Sequence, residues 1–210
     1  MLINPGTLGQ NHVTADERIG FAKGDAVYRQ GDPGLFWFEV LVGMVRSVRL
    51  SPDGRRQLIG FWVPGDIFGA EQGFYRSSIE VVTDMAWVRR VRWGATDEDD
   101  QSLEKALAGA ENSIVILGHR TAASRLAAFL LDLHCRTGAG PSLALPMTRG
   151  DIADHLGLTV ETVSRTFAQF VRRGLLARQQ HCQVDIADLE GLRALAGDSA
   201  PDTQTRHSQD

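Results

Sequence analysis

A single change of rhythm constrains this chain more than any other feature. From about Arg18 to Trp93 the apolar residues come in short runs, VYRQ, WFEVLVG, VRSVRL, RQLIGFWV, IEVVTD and WVRRVRW, parted by turn residues and without helical period. Brief runs bounded in this way are strands. Gly43, Gly54 and Gly65 punctuate them at even intervals, and SPDG (Ser51 to Gly54) has the chemistry of a hairpin turn. The stretch is expected to form a β-sandwich or small barrel.

From Asp97 the period turns helical. The cluster DEDD (Asp97 to Asp100) puts acid where the positive end of a helix dipole favours it. Leu103, Leu107, Ala110, Ile114 and Leu117 then recur alternately four and three residues apart, as in the a/d seam of a coiled coil. Such a seam needs a cover, either the same helix of a second copy or the chain's own barrel. Gly118, Thr121 and Ser124 end the register, and Leu126, Phe129, Leu130 and Leu133 restart it out of phase. The helix should therefore break near residues 118–122, which makes that segment a candidate hinge.

RTGAGPS (Arg136 to Ser142) reads as a loop, with two helices and a tight turn beyond it. Thr148 and Asp151 offer a capping box for the first helix, whose buried stripe is Ile152, Ala153 and Leu156 and whose stop is Gly157. Thr159 can cap the second, with Val163, Phe167 and Phe170 inward and Gly174 as terminator. Short strands around LLAR and CQVDI flank QQH as a wing, and ADLEGLRALA closes the unit. GDSAPDTQTRHSQD has the composition of a disordered tail.

A helix-turn-helix needs a small residue at the helix crossing, a glycine turn, and a second helix whose outer face can reach base edges. Ala153, Gly157 and the second helix meet these needs. Glu161, Ser164 and Arg165 share one face of that helix, because offsets of three and four are neighbours on its surface. Arginine can bond guanine O6 and N7, glutamate can accept from cytosine N4, and serine is short enough to allow close approach to thymine. Arg149, Arg172, Arg173 and Arg178, with Thr159 and Thr162 at the helix start, are candidate phosphate contacts, which set register without reading sequence.

Bulk properties fit such a role. At 210 residues with 43% hydrophobic and 23% charged content the chain is ordinary globular material, and the net charge of −4 hides an uneven distribution. Residues 137–181 carry five arginines (149, 165, 172, 173 and 178) against three carboxylates (151, 154 and 161), so the local balance there is basic. No run of eighteen apolar residues occurs, and the N-terminus lacks the plan of a secretory signal, so a cytoplasmic protein away from membranes is expected. Cys135 and Cys182 are far apart with no CxxC, which argues for reduced thiols rather than a disulfide framework or zinc site. Cys182 falls in the wing beside His181 and near Arg178. It either packs as a small apolar residue or, if exposed near positive charge, becomes an oxidisable thiolate facing DNA phosphates.

The segment LPMTRGDIADHLGLTVETVSRTFAQFVRRGLL (Leu145 to Leu176) closely resembles the winged-helix signature of the Crp/Fnr regulators, particularly their FixK-like branch. DGRRQLIGFWVPGDIFGAE (Asp53 to Glu71) resembles that family's sensor domain, and LGHRTAASRLAAFLLDL (Leu117 to Leu133) its dimer-helix end and hinge. The resemblance implies an α+β chain: a cyclic-nucleotide-binding-like β-barrel of jelly-roll type (1–96), a dimerisation helix and hinge (97–122), a winged helix-turn-helix (123–196) and a tail (197–210). It also implies a homodimer on double-stranded DNA, with RNA polymerase as a further partner. The family's E-x-x-S-R pattern lands on Glu161, Ser164 and Arg165, and relatives with that pattern take a target resembling TTGAT, four bases, and ATCAA.

The sensor departs from the family. A cyclic-nucleotide cradle resembles a Gly-Glu pair followed about ten residues later by Arg-Ser, but here Ala70 follows Gly69, and Arg76-Ser77 comes only five residues after Glu71. Iron–sulfur clusters need several thiolates, and the barrel has no cysteine. For a haem, His119 near the hinge is the only tempting axial ligand. No cofactor or metal is therefore expected, and a regulator controlled by its own abundance fits best. A version gated by haem or a nucleotide is the alternative. A cupin-like metal enzyme is remote, because no histidine lies between Arg18 and Trp93, and no nucleophile elbow or dinucleotide fingerprint occurs.

Overall fold

The computed structural model describes residues 16–71, 73–94, 97–138, 140–180 and 182–197. Its N-terminal half holds β1 (Asp16–Ala22), β2 (Ala26–Tyr28), β3 (Pro33–Gly34), β4 (Phe36–Val42), β5 (Val45–Leu50), β6 (Arg56–Trp62), β7 (Ile67–Phe68), β8 (Gly73–Phe74), β9 (Ser78–Val81) and β10 (Met85–Arg92). Two four-stranded antiparallel sheets result, ordered β1-β10-β4-β7 and β2-β9-β5-β6, with β3 and β8 as a small separate ladder. Alternation drives the layering: along β10, Ala86 and Val88 point inward while Met85 and Trp87 are exposed. Aromatic and β-branched side chains including Tyr28, Phe38, Phe68, Tyr75 and Val88 fill the space between the sheets.

The even glycine spacing has a backbone cause. Gly43 and Gly54 sit at φ of 85° and 80°, and a Cβ on Gly43 would meet the Met85 carbonyl at 2.4 Å. SPDG forms its turn, with Gly54 N–H donating to the Ser51 carbonyl at 2.9 Å. The strand run was expected to open at VYRQ, but β1 precedes it and β2 stops at Tyr28. DERIGFA hides a strand because its pairing partner, β10, lies some seventy residues away and supplies the backbone bonds.

The C-terminal half contains α1 (Asp99–Gly118), α2 (Ala122–Thr137), β11 (Ser142–Ala144), α3 (Arg149–Leu156), α4 (Val160–Arg172), β12 (Leu176–Gln180), β13 (Gln183–Ile186) and α5 (Leu189–Ala196). Asp99 opens α1 and also ties it to the barrel, accepting from Trp37 Nε1 at 2.8 Å and from Gly94 N–H at 2.6 Å. The break falls where the register fails: His119 is extended, and Thr121 caps α2 by accepting from Ser124 N–H at 3.0 Å. Among the described residues no helix is long and apolar enough to cross a membrane.

Two features of the loop and wing differ from expectation. α2 continues through Thr137, and Ser142–Ala144 forms β11 against β13, giving a three-stranded sheet β11-β13-β12. Three residues beside proline and glycine carry too little pattern to announce a strand. The wing turn is also tighter, since β12 runs to Gln180; His181 lies outside the described residues. So do 198–210, nearly all of the segment read as a disordered tail.

Candidate nucleic-acid interface

The helix-turn-helix is built by local chemistry. Thr148 and Asp151 complete a reciprocal capping box on α3, Gly157 ends it in the left-handed region, and Leu158 N–H returns to the Ala153 carbonyl at 2.9 Å. Thr159 then caps α4 by accepting from Thr162 N–H at 3.2 Å. Val163, Phe167 and Phe170 are buried against the neighbouring helices, so the opposite face turns outward with Glu161, Ser164 and Arg165 exposed. The Glu161 carboxyl is held below the usual glutamate range by its own backbone N–H and by the Thr159 hydroxyl, which keeps it a pure acceptor.

The candidate phosphate contacts are unequal. Arg172 and Arg173 are exposed at the far end of α4, and Thr159 is exposed at its start with Thr162 half-buried beside it. The positive end of α4 points out at the same place. Arg178 sits in β12 opposite Asp185. Arg149 is less open than the sequence suggests: its guanidinium lies 3.5 Å from the centre of the Phe167 ring, half-buried, and burial draws its pKa down. Of the two settings open to Cys182, packed or exposed, the thiol is exposed, in the turn between β12 and β13. Its carbonyl accepts from Leu145 N–H at 2.8 Å, so the backbone is anchored and the thiol faces outward.

The alternative cover for the α1 seam is corrected too. Leu103, Leu107, Ala110, Ile114 and Leu117 do not pack on their own barrel; all are exposed, Ile114 to 70%. Ser102 and Ile116, which lie between seam positions, are buried instead, and Ala106 packs against Trp37, Ile67 and Val91 of the barrel. The result is an apolar stripe along a twenty-residue helix that the described residues leave exposed.

Sequence reasoning missed the junction between barrel and helix-turn-helix. Asp151 does more than cap α3: its other oxygen accepts from Arg46 of β5 at 2.9 Å, and Arg46 also grips Glu80 of β9 at 2.8 Å. Arg56 of β6 stands 3.8 Å from both Asp151 and Asp154. Below them His155 is 6% exposed, packed between Phe61 and Phe129, and burial lowers its pKa to about 4. At the other end of α3, Arg125 donates to the Leu156 carbonyl at 3.1 Å and to the His119 carbonyl at 2.8 Å. The contacts with the barrel pair strands with a helix about a hundred residues away, so no local spacing announces them.

Comparison with known proteins agrees with this geometry. Residues 124–195 match the Crp-like helix-turn-helix domain and residues 18–92 the cyclic nucleotide-binding domain. The chain is 40% identical over 179 residues to the nitrogen fixation regulation protein FixK of Rhizobium meliloti, covering 83% of this chain and 85% of that one. It is 37% identical to the protein of the same name from Bradyrhizobium diazoefficiens, covering 85% and 81%. Among solved structures, FixK2 from Bradyrhizobium japonicum superposes with a TM-score of 0.76 at 34% identity, over 87% of this chain and 98% of that one.

Proposed function

The chain belongs to the Crp/Fnr family of transcription regulators, in its FixK-like branch, and from that premise we propose that it works as a cytoplasmic homodimer on an inverted repeat. The half-sites resemble TTGAT and ATCAA about a four-base spacer. Residues 1–96 form the sensor-like barrel, 97–122 the dimerisation helix and hinge, 123–196 the DNA-binding unit and 197–210 a tail. Bound to its site, the dimer activates transcription through RNA polymerase. Relatives and family alike regulate transcription, so the reading needs no catalytic step.

The outer face of α4 carries this reading. Glu161, Ser164 and Arg165 are exposed together at the N-terminal end, the end a recognition helix presents to base edges. The bare seam of α1 supports the dimer, because an isologous contact through one helix brings two recognition helices under a two-fold axis. The test is selection of binding sites from random DNA. Recovery of the inverted repeat is the expected result, and recovery of unrelated or unpaired sequences overturns the proposal.

The dimer operates without cyclic AMP or an iron–sulfur cluster. The barrel interior supports the first point: the Tyr28 and Tyr75 rings stack at 3.7 Å beside the stacked Phe38 and Phe68 rings. A Cβ on Gly69 would already meet Phe38, Tyr28 and Tyr75 within 3.4 Å, and the Ser77 hydroxyl is bonded to Ser47 at 2.7 Å. For the second, the sequence has two cysteines, both outside the barrel, short of the four thiolates that hold an ordinary cluster. One observation favours a ligand-gated version: Glu71 Oε2 is buried with no hydrogen-bond partner among the described residues. Mass spectrometry and an absorption spectrum of the purified protein separate the two, since a co-purifying nucleotide or a haem band would support gating.

A further inference from the structure

α3 is held at both ends by arginines from other elements, Arg46 and Arg56 of the barrel and Arg125 of α2. At its start the Asp151 carboxylate divides its work. One oxygen closes the capping box with Thr148, at 3.2 Å to the backbone N–H and 2.9 Å to the hydroxyl, and the other accepts from Arg46. The Asp151 side chain is only 7% exposed, so this pair is largely out of water, where breaking one partner is costly. Arg46 is itself fixed by two bonds to Glu80, at 3.0 and 2.8 Å, and Arg56 joins the same cluster from β6. At its end α3 is tied by Arg125 to the hinge carbonyl of His119.

The arrangement has a geometric consequence. Were the DNA-binding unit joined to α1 only through residues 119–121, it could swing about the hinge. Attachments on the barrel remove that freedom: Arg46 and Arg56 hold α3, and Arg136 of α2 donates to the Phe61 carbonyl at 3.1 Å. In a dimer paired along α1, the position of α3 on the barrel sets how far each α4 stands from the two-fold axis. One extra base pair moves a half-site by about 3.4 Å and turns it by roughly a tenth of a helical turn. A rigidly held pair of helices rejects such a site, and a loosely held pair accommodates it.

We propose that Arg46 and Arg56 determine spacer specificity: by pinning Asp151 and Asp154 to the barrel they fix the separation of the two recognition helices. The proposal rests on the homodimer reading above. It assigns these arginines no contact with DNA and no part in choosing bases within a half-site. Their effect is to make the protein read the distance between half-sites as strictly as the half-sites themselves.

The experiment uses the full chain and the repeat that the parent selects from random DNA, offered with the selected spacer and with spacers one base pair shorter and longer. The parent should prefer its own spacer by about tenfold or more, the scale of one mismatched step. Arg46→Gln with Arg56→Gln should bring that preference to within about threefold while base preference inside each half-site stays as in the parent. Arg56→Gln alone, at a side chain 37% exposed, should fall between, and Arg46→Lys, which keeps the charge but not the fork, should recover part of the preference. These two single variants decide the matter if the double variant does not fold. Folded variants that keep the parent's spacer ratio overturn the proposal, as does loss of half-site base preference along with the ratio. A parent that selects a repeat other than TTGAT sinks the target sequence and leaves this test intact. A parent that selects single half-sites removes the homodimer and this proposal with it.

Discussion

Lowering the pH should weaken the seat of α3 through His155. The imidazole is buried between the Phe61 and Phe129 rings, at centroid distances of 5.6 and 5.5 Å. Its Nδ1 is buried with no partner among the described residues. Burial is the dominant cause of its low pKa; the Ile59 backbone beside it and Asp132 favour the charged form and Arg136 opposes it. With the folded value at about 4 against an ordinary 6.5, the ring is neutral in the fold and takes up a proton more readily when released. Its contribution is therefore complete above about pH 6.5 and is lost as pH falls from there toward 4. Between about pH 7.5 and pH 5 the linkage integral comes to about 2 kcal/mol per protomer. Urea unfolding of the parent and of His155→Phe at the two pH values, at one fixed protomer concentration, isolates this term because other groups titrate in both proteins. The parent should lose about 2 kcal/mol more than the variant. Equal losses would refute the reasoning, since the ring would then have to be solvated or paired in the fold.

Three further outcomes are expected. Arg165→Ala and Glu161→Ala should each weaken binding to the selected site by about 1–3 kcal/mol and relax preference at a guanine-cytosine pair, read by binding isotherms over a panel of single-base changes. Unaltered affinity in a dimeric variant would reject α4 as the reading helix. Ile114→Asp places a carboxylate in the seam and should yield monomers with poor DNA affinity; sedimentation that finds an intact dimer would discard the seam. Peroxide should reduce the DNA affinity of the parent and of Cys135→Ser but leave Cys182→Ser unaffected, because an oxyacid at the wing turn adds negative charge beside phosphates. Equal sensitivity in the parent and Cys182→Ser would leave the exposed thiol without that role.

What the sequence made legible was local. The capping box of Thr148 and Asp151, the left-handed stop at Gly157 and the inward stripe of α4 all follow from residues within one helix length, and each is present. The break after Gly118 was visible because two apolar registers cannot share one straight helix. Long-range pairing was not visible. β1 and β11 take their identity from β10 and β13, and without those partners DERIGFA and SLA are ambiguous. The same holds for the site: exposure of Glu161, Ser164 and Arg165 followed from periodicity, whereas the bond from Arg46 to Asp151 joins positions with no shared local pattern.

The small sheet β11-β13-β12 also decides where this chain can be cut and rejoined. β11 lies just ahead of the capping box, yet it is paired with the strand that leaves the wing, and Leu143 and Val184 are buried completely at that seam. A chimera that exchanged only residues from Thr148 onward would import a wing strand cut for a different neighbour and strand one edge of the ladder. The transplantable cassette therefore runs from before Ser142 to beyond Ile186. Its upstream joint belongs ahead of Pro141, whose carbonyl accepts from Ile186 N–H at 2.7 Å and so already belongs to the ladder.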